Sequence, residues 1–134
     1  MSTRAVYGFR ADDSWLDQPI TFWVYVHCDG YPTGAAEKFA DTLKSGQVWP
    51  LPRFEADEFA AGFVAVNKQG TGHVRLTTGP EAHGDTEYCY LIWQRQSDKA
   101  LCVTAWNDGQ PAEKPFFEGP LAEFIARAEE LEAA

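Results

Sequence analysis

Two spacings of apolar residues alternate along this chain, one of period two and one near 3.6, and together they predict its elements. The first alternating run, residues 4–10, sets Val6, Tyr7 and Phe9 around Gly8 and predicts a strand; a polar connection closed by Pro19 follows it. Residues 20–27 predict a second strand. Because strand side chains alternate, Ile20, Phe22, Val24 and Val26 share one face, and Thr21, Trp23, Tyr25 and His27 share the other. After Gly34 the spacing changes: Ala36, Phe39, Ala40 and Leu43 mark an amphipathic helix that should stop near Ser45 and Gly46. Its intervening Glu37, Lys38, Asp41 and Lys44 are expected on the wet side. Phe59, Phe63 and Val66 predict a second helix over 54–67 despite Gly62, which costs about 1 kcal/mol relative to alanine.

Residues 73–78 read as a third strand, 79–85 as a loop, and 86–95 with 100–107 as a hairpin turning around Ser97 and Asp98. That turn puts Cys89, Leu91 and Trp93 on one face with Cys102, Thr104 and Trp106. Tyr88, Tyr90 and Ile92 then share the other with Leu101, Val103 and Ala105. Both faces are largely apolar, so one should pack on helices and the other meet a second layer, such as another subunit. Phe116 and Phe117 could add a short strand within 114–119. Pro120 suits the first position of a final helix that buries Leu121, Phe124, Ile125, Ala128 and Leu131. The order ββααβββα, with short turns between successive strands, predicts a single α+β domain over residues 1–134. Its sheet should be mainly antiparallel, of about five strands packed with two to three helices.

Composition narrows the function classes. With 134 residues, 45% hydrophobic and 14% aromatic, the chain can fill a core. Its formal charge is −9 and its 11 basic residues are scattered, which disfavours generic nucleic-acid binding. No apolar run approaches the roughly 18 residues of a membrane span, and the N-terminus has no signal-peptide core, so a cytoplasmic protein is expected. Cys28, Cys89 and Cys102 are odd in number and widely spaced; reduced thiols are the simpler reading, with Cys89 and Cys102 in the core.

Candidate chemistry concentrates in residues 27–34, His-Cys-Asp-Gly-Tyr-Pro-Thr-Gly. Two glycines and a proline turn the backbone, and the turn displays an imidazole, a thiol, a carboxylate and a phenol. Turn geometry accounts for Asp29, Gly30, Pro32 and Gly34: the carboxylate can accept backbone N–H bonds, Gly30 can take positive φ, and Thr33 can cap the helix. His27 and Tyr31 are left over, beside Trp23 and Tyr25, while Cys28 falls in register with Val26 and Val24 as a core-facing thiol. His27, Asp29 and Tyr31 are therefore the main candidate ligand contacts, with Trp49 and Arg53 as weaker ones. No metal is expected: adjacent His27 and Cys28 on a strand point apart, and no Cys-x-x-Cys or His-x-x-x-His spacing occurs. No cofactor motif, Gly-x-Ser-x-Gly elbow or P-loop occurs either, and no catalytic residue is assigned.

A strand ending in His-x-Asp-Gly-Tyr-Pro-x-Gly, then a helix, then Glu87-Tyr-Cys-Tyr-Leu-Ile92 before a C-terminal helix, resembles a widespread set of small, mostly uncharacterised bacteriophage and prophage proteins. The likeness covers most of the chain in outline and is specific at residues 25–34 and 88–92. In that pattern an aromatic often stands where this chain has Cys28. The resemblance implies an accessory role, such as countering host defence, in the host-cell cytoplasm. Three readings follow. The first is a non-enzymatic, homo-oligomeric accessory protein binding a small, nucleotide-like ligand or a host protein. The second is an acidic inhibitor that mimics nucleic acid, and the third a small hydrolase or transferase using His27 with Cys28 or Asp29.

Overall fold

The strand Ala5–Ala11 (β1) is the axis on which the other elements are hung. The computed structural model describes residues 2–12 and 15–134. On one side β1 pairs antiparallel with Ile20–Val26 (β2), whose free edge takes Val74–Thr77 (β3). On the other it pairs in parallel with Tyr88–Gln94 (β4), followed by Leu101–Trp106 (β5) and Phe117–Pro120 (β6). The six strands lie in the order β3-β2-β1-β4-β5-β6.

The α+β class, the element order and the hairpin register agree with the sequence pattern: Cys89 faces Trp106, Leu91 faces Thr104, and Trp93 faces Cys102. The expected short strand at Phe117 is a true edge, which raises the strand count to six, and Pro120 ends that strand rather than opening the helix. Proline suits an edge because it has no N–H to give a ladder. One pairing is parallel, β1 with β4. Two helices and β3 intervene between β2 and β4, so the chain crosses the sheet and re-enters it in the original direction.

The helices Pro32–Lys44 (α1), Ala56–Asn67 (α2) and Leu121–Ala133 (α3) share the core with one face of this sheet. Tyr7 and Phe9 of β1, Val24 and Val26 of β2, and Tyr90 and Ile92 of β4 meet Phe39, Phe59, Phe63 and Phe124 there. The rings contact at stacked, tilted and edge-on angles, as aromatic quadrupoles prefer; Tyr7 stacks on Tyr90 at 5.2 Å, and Phe39 meets Phe124 edge-on at 6.2 Å. Gly62 is explained by this packing, because a Cβ on it would run into the Gln47–Val48 segment that closes over α2.

Among the described residues no α-helix packs on the second sheet face. Val6, Cys89 and Trp106 are buried on it under Trp23 and Leu91, and Trp23 lies flat over Gly8, where a Cβ would come within 2.6 Å of its ring. Two loops cover the margins. His83 stacks on Tyr25 with centroids 4.0 Å apart, and the carbonyl of Ala112 accepts the Trp106 indole N–H at 2.8 Å. The buried Cys89 thiol is pushed up to about 12 by its surroundings, chiefly burial and then Asp108, which makes it a core residue and not a nucleophile. No helix among the described residues is long and apolar enough to cross a membrane.

Candidate functional site

Where β2 ends, the chain must turn and climb onto the helical layer, and the turn is fixed from both sides. Gly30 donates its N–H to the Thr3 carbonyl at 2.9 Å and accepts the buried Tyr90 hydroxyl on its own carbonyl at 2.6 Å. Glycine is needed there because a Cβ would stand 2.6 Å from that of Ala5. The positive φ that the sequence pattern placed on Gly30 falls instead on Asp29, at 58°. Aspartate tolerates this left-handed conformation better than most residues, though at some cost in strain.

Proline at its first position opens α1, and Tyr31 precedes it as N-cap without a side-chain cap bond. Thr33 is not the cap. Its N–H and hydroxyl both donate to one carboxylate oxygen of Glu132, at 2.9 and 2.7 Å, so the far end of α3 supplies the acceptor that α1 lacks.

These constraints leave a cleft of about 350 Å³ between the turn, the start of α1, the end of α2 and the approach to β3. The turn contributes Asp29 and Tyr31, and α1 contributes Thr33, Gly34, Glu37, Lys38 and Asp41. Asn67, Gln69 and His73 close the far wall. Tyr31 donates its hydroxyl to Asp29 at 3.0 Å, which aims both groups.

Lys38, expected on the wet side of α1, is only 8% exposed. Its ammonium donates to the Asp29 carbonyl at 3.0 Å, a bond that the left-handed turn of Asp29 makes available. Burial, the larger influence, pulls the amine down, while Asp29 and Cys28 oppose that pull. A buried lysine with one protein acceptor has donors left for something in the cleft.

Cys28 is likewise not where strand alternation puts it. Because β2 ends at Val26, the pleat no longer governs residue 28, and the thiol leaves the core. Its Sγ lies 3.4 Å from Nδ1 and 3.9 Å from Nε2 of His73, 45 residues away. The two meet because the His27 N–H bonds the His73 carbonyl at 2.9 Å, extending the β2–β3 ladder by one rung. Burial pushes the Cys28 thiol up, with Asp29 adding to it and Lys38 opposing. Burial first, then Lys38, holds the His73 imidazole down. Beneath them Tyr7 is fully buried, and its hydroxyl meets no hydrogen-bond partner among the described residues. Burial first, then Asp29 and Cys28, raise its phenol far above the usual range.

Of the five contacts predicted from the sequence, Asp29 and Tyr31 reach this cleft. His27 turns to the helix-free face, where its Nδ1 lies 3.2 Å from the Tyr25 hydroxyl. Trp49 and Arg53 belong to the connection between α1 and α2, at the opposite end of the sheet. There Arg53 lies over the Trp49 ring at 3.4 Å, and Gln94 at the end of β4 donates to the Pro52 carbonyl. Lys38 and His73 were missed as cleft residues. Nothing in the spacing of the chain marks a lysine that a turn will bury or a histidine brought in by strand pairing. Among the described residues no group of three or more His, Cys, Asp and Glu side chains is arranged to hold a metal ion. Against family models, curated proteins and solved structures the chain has no match.

Proposed function

We propose that this protein binds a small, polar, amine-bearing molecule in the cleft between the Asp29 turn and α1. The observation that carries this reading is the pairing of two wall types in one concavity. Asp29, Glu37 and Asp41 supply carboxylates, while the buried Lys38 and the half-buried His73 supply directional hydrogen-bonding groups. A volume near 350 Å³ is at the small end of ligand sites, room for a molecule of monosaccharide or nucleoside size. Three carboxylates and one lysine line the cleft, and with Lys44 paired to Asp41 at 3.5 Å the balance still disfavours phosphate. Arg53 and Arg75, the side chains available to hold one, lie elsewhere: Arg53 over Trp49 and Arg75 over the Tyr25 ring on the other sheet face. A cationic ligand therefore fits better than the nucleotide-like one expected from the sequence. The phage-like motif itself builds the cleft, which supports an accessory role in which the protein sequesters a host metabolite.

Calorimetric titration with spermidine, glucosamine and adenosine monophosphate tests this. The amines should bind saturably, tighter than about 1 mM, and Glu37→Gln should weaken them. Preference for the nucleotide, or no heat from any amine, would count against the proposal. Mimicry of nucleic acid draws less support from the carboxylate contacts: on α3, Glu123 and Glu130 pair with Arg127, and Glu132 holds α1.

A further inference from the structure

His73 lines this cleft, and Cys28, half-buried and next in sequence to the cleft residue Asp29, lies against its imidazole. We propose that Cys28 and His73 are a nucleophile and general base for acyl transfer, with Lys38 donating to the oxygen that becomes negative. The inference rests on the cleft being a ligand site. Three independent placements support it. The thiol is within 3.4 Å of an imidazole nitrogen, the imidazole lines the cleft, and a lysine nine-tenths buried projects into the same cleft with donors left over. The unpartnered Tyr7 hydroxyl below them adds a fourth polar group that the fold itself leaves unused.

The thiol lies beside the imidazole ring, at 3.4 and 3.9 Å from its two nitrogens, and not on the axis of the Nδ1 lone pair. Rotation of the ring about its Cβ–Cγ bond brings a nitrogen into line, and catalytic hydrogen bonds commonly tighten in this way when substrate arrives. A half-buried thiol pushed up and an imidazole held down make the resting pair neutral, which leaves the imidazole free to take the thiol proton.

The substrate class is a carboxylic ester or thioester of an amine-bearing molecule. Sγ of Cys28 forms a bond to the carbonyl carbon as its proton passes to His73, and the carbonyl π electrons move onto oxygen beside Lys38. The oxyanion collapses, the bond to the leaving alcohol or thiol breaks, and the imidazolium protonates that leaving group. Water then gives a proton to His73 and attacks the thioester; the carbon–sulfur bond breaks, and Cys28 regains its proton. The sum is ester plus water to acid plus alcohol.

Incubation with p-nitrophenyl acetate, followed by intact-mass and peptide mass spectrometry, tests the proposal. The expected result is one acetyl group on Cys28 with a matching burst of nitrophenolate, and a rate lowered about 100-fold in His73→Gln. Equal labelling of Cys28 in that variant, or acetylation spread over Cys89, Cys102 and lysines, would overturn it. Should His73→Gln unfold, the pH profile of the unmodified protein decides. A rate that rises through an imidazole ionisation below about 6.5 and then levels supports the dyad, because protonated His73 cannot accept the thiol proton. A rate that climbs only with thiol ionisation at high pH overturns it. Cys28→Ser should lose the label with spermidine binding intact; a rate of acetylation unchanged in that variant, with spermidine still bound, refutes this step and leaves the binding reading standing.

Discussion

Alanine is the better helix former, yet Gly34→Ala should weaken this protein. Gly34 sits in the first turn of α1, and a Cβ there would fall on the backbone carbonyl of Asp29, with the Asp29 Cβ 3.1 Å away. Neither neighbour is the end of a flexible chain, so the turn itself must shift. In an open helix the substitution would gain close to 1 kcal/mol; here overpacking should reverse the sign and cost roughly 1–3 kcal/mol. Displacing the Asp29 carbonyl also removes the acceptor of Lys38, so the stability loss and the loss of amine binding should appear together. Chemical denaturation and titration of the same variant check both. A variant as stable as the parent would mean that the turn is looser than this packing implies.

Among the elements, α1 depends on α3 more than its own sequence suggests. An N-terminus without a side-chain cap leaves N–H groups unpaired, and Glu132 from the last turn of α3 answers one of them together with the Thr33 hydroxyl. A carboxylate at a helix N-terminus is also on the favourable end of the helix dipole. Glu132→Ala should therefore lower stability by about 0.5–1 kcal/mol, the lower part of the capping range, because the site is open to solvent. Thermal unfolding against Glu129→Ala, an exposed acid one turn away, isolates the effect; equal midpoints would show that the contact contributes nothing. The same contact explains why residues 31–34 stay in place above the cleft: the turn is held by Tyr90 from below and by Glu132 from the side. Sequence spacing anticipated the three helices and the first five strands of this frame through their apolar patterns, and offered β6 only as an optional addition around Phe116 and Phe117. It could not recover the cap, which joins residues 99 apart.

For the whole molecule, what the sequence left illegible is what the cleft depends on. Asp29 and Tyr31 were readable as unusual residues at a turn. Lys38 was read as solvent-facing because charge alone says so, and Cys28 as core-facing because alternation was carried two residues past the end of β2. His73 reaches Cys28 only through strand pairing. Long-range pairing decided His73, while the end of β2 and the turn that follows it decided Cys28 and Lys38. The charge of −9, by contrast, is a property of the chain that acts on the cleft from every side, and it makes the ligand's sign testable. Raising ionic strength from about 20 to about 200 mM shortens the screening length from roughly 20 to 7 Å. Over that range the acidic walls and the surrounding field lose much of their pull on a cation, while repulsion of an anion is relieved. Spermidine affinity should accordingly fall several-fold with added salt, and that of the less charged glucosamine should fall less. An affinity that is flat, or that rises with salt, would show that the carboxylates of Asp29, Glu37 and Asp41 do not face the bound molecule, and the cleft would then belong to a neutral or anionic ligand held by Lys38.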